Sequence, residues 1–190
     1  YPDIQKNLAV AKEVLTLPKN GDIILREFDI VLKGQTLHAF LVYADGMCRT
    51  DSINECILKP FAYLKNEQPP AGMPLQNFLL QQLLPQSQAK GLSDPMKLLS
   101  GVNFGSCAVF VDTLTVGYLL DVKGWEHRTI STPKNEAVIQ GPHEGFNEMI
   151  RCNTALLRKS LNTPNLVMEN IALGKSSQTP SAICYLKNVA

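Results

Sequence analysis

The chain has little charge of either sign to concentrate: 18 Lys and Arg stand against 17 Asp and Glu over 190 residues, a formal net charge of +1, with both signs scattered. Nucleic-acid binding needs a basic stripe or patch that displaces counterions, so this balance argues against DNA or RNA as a partner. Histidine is scarce, and His38, His127 and His143 lie in distant segments with no H-E-x-x-H spacing. The five cysteines, Cys48, Cys56, Cys107, Cys152 and Cys184, are odd in number and never spaced C-x-x-C. Neither set has metal-site spacing. We therefore expect no metal, no cofactor, and free thiols in a reducing compartment.

Long hydrophobic runs are absent too. The longest, from Cys107 to Leu120, is broken by Asp112 and Gly117, well short of the ~20 apolar residues that span a bilayer. The chain is expected to be soluble. It opens at Tyr1 into a helical pattern with neither Met nor a signal peptide, which suggests a segment of something longer, with any membrane part outside it.

What is present suits a folded protein: 45% hydrophobic and 18% charged residues, in a length that fits one medium domain or two small ones. Ile4, Leu8, Ala11, Val14 and Leu15 predict an amphipathic leading helix over residues 3–17, stopped at Pro18-Lys19-Asn20-Gly21. Two strand-like runs between Asp22 and Asp45 turn around Lys33-Gly34-Gln35 as a hairpin. Asp51 or Ser52 is placed to cap a helix whose buried face is Ile53, Ile57, Leu58, Phe61 and Leu64. Helices follow at 75–84 and after Ser93-Asp94-Pro95, joined by loops. Strands are expected at 108–111 and 116–122, for about four strands in the first unit. Then come a short strand at 137–140, a helix from Pro142 to Leu161, and strands at 166–173 and 182–189. The expected fold is α/β (α+β): a leading helix over 1–18, a first α/β subdomain over 19–124, a linker over 125–136, and a second β-α-β-β subdomain over 137–190. Each subdomain is expected to hold a mixed sheet with helices.

Apparent motifs are weak on inspection. Gly174-Lys175-Ser176 lacks the first P-loop glycine, because Glu169 stands there, and it falls between two strands as a hairpin loop. Asn103-Phe104-Gly105-Ser106-Cys107 lacks the second glycine of a nucleophile elbow. Glu126, His127 and Arg128 are adjacent on an extended chain and point to opposite sides, so they form no catalytic constellation by themselves. No enzyme is expected. Asp45 and Asp112 both end apolar strands and would mark a pocket edge if they converged, although aspartate is also an ordinary turn residue. Gly141 and Pro142 suggest a helix start whose free N–H groups favour an anion, or Glu136 or Glu144 from the chain itself. Farther along, Phe146, Met149, Ile150, Asn153 and Leu157 share a helix face, which sets one amide among apolar neighbours. Arg151, Arg158 and Lys159 fit a solvated, cation-favouring helix end.

The fragments Gly124-Trp125-Glu126-His127-Arg128, Glu136 through Phe146, and Asn153-Thr154-Ala155-Leu156-Leu157-Arg158 together resemble the A subunits of GerA-type spore germinant receptors. Leu25-Arg26-Glu27-Phe28, Tyr43-Ala44-Asp45-Gly46 and Leu98-Leu99-Ser100-Gly101 are similar too, so the resemblance runs over nearly the whole chain. Members usually carry arginine where Gln140 and His143 stand. The resemblance implies the soluble N-terminal region of a subunit of the spore inner membrane, on the cytoplasmic (spore core) side. It also implies a transporter-like B subunit and a lipoprotein C subunit as partners, self-association with other A subunits, and ion release when a small nutrient is sensed. On that footing the region either signals and assembles or binds an amino acid or sugar directly. Glu126, Arg128, Glu136, Gly141, Glu144, Asn153 and Arg158 are expected to form the coupling or ligand-binding cluster near the subdomain junction.

Overall fold

The structure is a computed structural model that describes residues 1–32, 34–82, 88–124 and 145–189. Helix α1 (Ile4–Val14) begins where Asp3 Oδ1 accepts the N–H of Gln5 at 2.9 Å and Asp112 Oδ1 accepts that of Ile4 at 3.2 Å. First-turn N–H groups have no partner inside a helix, so such acceptors fix where it starts. Its buried stripe is Ile4, Leu8 and Ala11, as the spacing predicts.

Strands β1 (Ile23–Leu32) and β2 (Gln35–Ala44) form the expected hairpin, in register from Ile23 opposite Ala44 to Leu32 opposite Gln35. A helical stretch follows, built from α2 (Thr50–Ile53), a π turn over Asn54–Leu58, α3 (Lys59–Tyr63) and a 3-10 turn over Leu64–Asn66. Ile53, Ile57, Phe61 and Leu64 are its buried face. Arg49, not Asp51 or Ser52, precedes the first turn, and no side chain caps it; Asp51 sits inside that turn, where its charge complements the dipole. The widened turn comes just before Pro60, which has no N–H for the carbonyl of Cys56 and whose ring would press on it in a regular helix.

Next come α4 (Leu75–Gln82), β3 (Ala89–Leu92), α5 (Pro95–Asn103), β4 (Ser106–Val111) and β5 (Gly117–Asp121). Asp94 caps α5 through the N–H of Met96 at 2.9 Å. Ala89–Leu92 was expected as loop. The segment Ala-Lys-Gly-Leu has no strand periodicity of its own, and pairing with β5, Ala89 opposite Leu120, makes it a strand. The first sheet therefore has five strands, in the order β1-β2-β4-β5-β3, rather than four.

Both faces of this sheet are covered. Ile30, Leu41, Val109 and Tyr118 pack with Ile53, Ile57, Phe61 and Leu79 on one side. Phe40, Val42, Ala108 and Phe110 pack with α1 and α5 on the other. Strand β4 is accordingly buried at all six positions, the near-continuous apolar run of a central strand.

Helix α6 (Ile150–Ser160) leads into a second sheet, β6 (Leu166–Leu173) with β7 (Thr179–Leu186). Gly174, Lys175 and Ser176 lie in the turn between them, as read from the sequence. Every pairing in both sheets is antiparallel among the described strands, where mixed pairing was expected. Residues 145–149 are not helical, so α6 starts later than expected. Asn147 Oδ1 takes the N–H of Met149 at 2.9 Å, offering the backbone an alternative to helix there. The linker at 125–136, the strand at 137–140 and the helix start at Pro142 lie outside the described residues. No helix among the described residues is long and apolar enough to cross a membrane.

Candidate functional site

The chain between α1 and β1 is polar, yet it is buried: Asn20 and Asp22 are 1% and 6% exposed. Asn20 Nδ2 donates to the carbonyls of Leu15 at 3.0 Å and Leu166 at 3.2 Å, while its Oδ1 accepts the N–H of Met168 at 3.0 Å. Gly21 N–H donates to the carbonyl of Met168 at 2.7 Å. A Cβ on Gly21 would lie 2.6 Å from Asn170 Nδ2, so a larger residue there would push the Asn170 side chain aside. The short segment leading into β1 is thus laced to β6 of the second sheet.

Helix α6 closes the joint from its buried side with Arg158, 0% exposed. Its Nε and Nη2 donate to the two carboxylate oxygens of Asp22 at 2.7 and 2.8 Å, and Nη1 donates to Asn103 Oδ1 at 2.7 Å. Nη2 also reaches Asn20 Oδ1 at 3.3 Å and the Leu166 carbonyl at 3.4 Å. Asn103, at the end of α5, is held through its own Nδ2 by the Leu99 carbonyl at 3.3 Å. A forked guanidinium against a carboxylate is the geometry in which such pairs are strongest. Out of water it persists only because the remaining donors are also satisfied. Arg158 was expected on a solvated helix face. It instead shares the buried side of α6 with Thr154 and Ala155, where no water can screen the charge and Asp22 must balance it.

A second contact lies on the same helix. Asp45 pairs with Arg151, accepts the N–H of Gly46 at 3.0 Å, and donates its own N–H to the Asp22 carbonyl at 2.7 Å. Gly46 has φ +80°, and a Cβ there would meet Arg151 Cγ at 3.0 Å and Ala155 Cβ at 3.3 Å. Only glycine fits both the conformation and the gap. Asp112 takes no part: it caps α1 at the other end of the sheet. Because β2 and β4 run antiparallel with Ala39 opposite Val111, Asp112 lies beside His38, seven residues along from Asp45, or roughly 23 Å at 3.3 Å per residue. The two aspartates therefore do not converge on a pocket edge.

Asn153 is half-buried and faces its own approach segment. Its Oδ1 accepts the N–H of Asn147 at 2.8 Å and its Nδ2 donates to the Asn147 carbonyl at 2.7 Å, a two-way clasp on the entry to α6. Glu126, Arg128, Glu136, Gly141 and Glu144 lie outside the described residues. Asn20, Asp22 and Asn103 were not singled out from the sequence. Asn20 reads there as part of the helix stop and Asp22 as the start of the strand-like stretch, and nothing local distinguishes a buried amide or carboxylate from a solvated one.

At the joint the polar groups are spent on one another. Among the described residues every buried side-chain nitrogen and oxygen has a hydrogen-bond partner, so no donor or acceptor is left aimed at a ligand there. The described residues include no His, Cys, Asp and Glu grouping able to hold a metal ion. Cys48 and Cys107 are buried; desolvation pushes the Cys48 thiol up to about 12 and holds that of Cys107 well above its ordinary value. Neither is an activated nucleophile.

Comparison with known proteins places this architecture. Residues 11–190 match the family described as Bacillus/Clostridium GerA spore germination protein. Across its whole length the chain is 31% identical to the uncharacterized membrane protein YfkQ of Bacillus subtilis (strain 168). It is 26% identical, over 99% of its length, to spore germination protein KA of the same organism. It spans about a third of those relatives, 35% and 34% of their respective lengths. The fold matches the crystal structure of the N-terminal domain of the A subunit of the Bacillus megaterium spore germinant receptor GerK3, with a TM-score of 0.75. That match has 21% identity and covers 99% of this chain and 66% of the other. With five strands, a second two-stranded sheet and a family match over nearly all its residues, the chain belongs to the GerA family of spore germination proteins.

Proposed function

We propose that this chain is the N-terminal portion of a germinant receptor A subunit and that it acts in spore germination as a signalling and assembly module, not as an enzyme. In this role the two units, near 19–124 and 137–190, move together, and a change at either is passed through the joint. The observation that carries the proposal is the buried Arg158–Asp22 pair with Asn20 and Asn103, which links α5, α6, β6 and the approach to β1. A site for a nutrient would instead leave convergent polar groups open toward a cavity; at this junction they are spent on one another. The B and C subunits and further A subunits are the proposed partners. The proposed location is the cytoplasmic side of the spore inner membrane.

Two measurements test the proposal. Spores whose full-length protein carries Arg158→Met should respond sluggishly to nutrient at an unchanged half-saturating concentration, provided the protein accumulates normally. Titration calorimetry of the 190-residue chain against a panel of amino acids and sugars should give no heat at millimolar ligand. Saturable heat with one nutrient would favour direct germinant binding and sink the coupling role as the primary one.

A further inference from the structure

Strand β1 is the outer strand of the five-stranded sheet, ten residues long, and among the described strands it pairs with β2 alone. Natural edges are usually short or covered, because an unpaired row of N–H and C=O groups is a template for another strand. At this edge the side chains sort by sign. Glu27 and Asp29 point to the face that carries α1, beside a groove of about 280 Å³ lined with Ile4, Leu8, His38 and Phe40. Arg26 and Phe28 point to the opposite face, beside a groove of about 340 Å³ lined with Leu58, Lys59 and Phe61, where the Phe28 and Phe61 rings pack tilted with centroids 5.8 Å apart. Arg26, Glu27 and Asp29 are all exposed. Arg26 and Glu27 have no ion-pair partner among the described residues, while Asp29 bonds His38 Nδ1 at 2.7 Å.

We infer that the outer edge of β1 is a strand-addition site for an extended segment of a different protein, one with basic residues at alternate positions on one face. In an antiparallel addition, residues two apart on the incoming strand stand opposite Glu27 and Asp29, so lysine or arginine at both meets a carboxylate. The intervening residue stands opposite Phe28 and fills the Phe61 groove with an apolar side chain. The next, opposite Arg26, is acidic. Main-chain hydrogen bonds supply affinity, and these alternating contacts supply selection.

A second copy of this chain does not fit. A twofold axis normal to the sheet keeps each face on its own side, so residues of one face pair only with each other. Centred on Phe28, that sets Glu27 against Asp29 twice, and in no register does Arg26 meet a carboxylate. Like charges directly opposite are destabilising, and within β1 no twofold register sets a cation against Glu27 or Asp29, so a copy gains none of the charge pairings that a complementary strand makes.

The test uses the 190-residue chain and a short fluorescein-labelled peptide containing Thr-Lys-Val-Lys-Glu-Thr, whose two lysines would stand opposite Asp29 and Glu27. We expect saturable anisotropy with amide shifts centred on β1. The doubly substituted chain, Glu27→Lys with Asp29→Lys, should bind this peptide at least about tenfold more weakly and prefer a peptide with glutamate in place of both lysines. Because both residues are exposed, the variant keeps its fold, which circular dichroism checks. Main-chain methylation separates strand addition from charge attraction: methyl groups on one alternation of peptide nitrogens should abolish binding, and those on the other should leave it. The inference is overturned by no binding at millimolar peptide, by equal tolerance of both methylation patterns, or by a β1-mediated dimer of the chain.

Discussion

Replacing Arg158 by methionine should be the most damaging single change in the joint, and its size follows from what stays behind. Methionine fills much of the same volume, so packing is largely kept. Asp22 remains, its side chain only 7% exposed, having lost both charge-assisted bonds at 2.7 and 2.8 Å. Stranding one partner of a buried pair costs about 3–5 kcal/mol. Against a total of roughly 5–15 kcal/mol for a folded protein, that is a large share. For a chain of this length each kcal/mol moves Tm by about 2–4 °C, so thermal circular dichroism should show a fall of roughly 6–20 °C. The double variant, Arg158→Met with Asp22→Asn, removes the stranded charge. It should regain most of the loss, with a coupling energy of about 2 kcal/mol or more in the cycle. A single-variant cost below about 1 kcal/mol, the range of exposed pairs, would refute the reasoning. So would a double variant that is no better than the sum of its parts.

Asn153→Leu should lower stability by about 1–2 kcal/mol in urea titration, since it breaks two local bonds to Asn147 and strands little else; a loss as large as that of Arg158→Met would make the amide part of the joint itself. Gly46→Ala should cost at least about 1 kcal/mol, because its φ of +80° and the contact with Arg151 both exclude a Cβ, and chemical denaturation checks it. Native protein should label with a thiol reagent at exposed Cys184 while Cys48 and Cys107 react only on unfolding, read by mass spectrometry. Stability should also fall as pH rises from about 9 toward 12. In that window the unfolded chain has lost the Cys48 proton while the folded chain keeps it, and Cys48→Ala should flatten the decline.

Periodicity made much of this molecule legible. The spacing of Ile4, Leu8 and Ala11, of Ile53, Ile57, Phe61 and Leu64, and the two runs around Gly34 each reflect burial against a neighbour, which leaves a period in the sequence. Strand β3 left none, because Ala89–Leu92 is made a strand by β5 rather than by its own residues. The start of α6 was misplaced for a local reason: the side chain of Asn147 competes for a backbone N–H, and a hydrophobic pattern does not register that. The joint was half legible. Asn153 and Arg158 stood out within the segment that carries the family resemblance, but Arg158 also fitted a solvated helix end. Its burial depends on Asp22, 136 residues away in sequence, on Asn20, which reads as part of a helix stop, and on Asn103, which reads as part of a failed nucleophile-elbow motif.

The central claim is that Arg158 makes the two sheets one cooperative body. Native-state hydrogen exchange measures this directly, because regions that open together share one opening free energy. In the unaltered chain, amides of β6 and the proximal half of β7 should open with the same free energy as those of β1 and β4. In Arg158→Met they should open separately and at lower cost, leaving β4 protected. Independent opening of β6 and β7 in the unaltered chain, or the same exchange pattern in both proteins, would contradict the account.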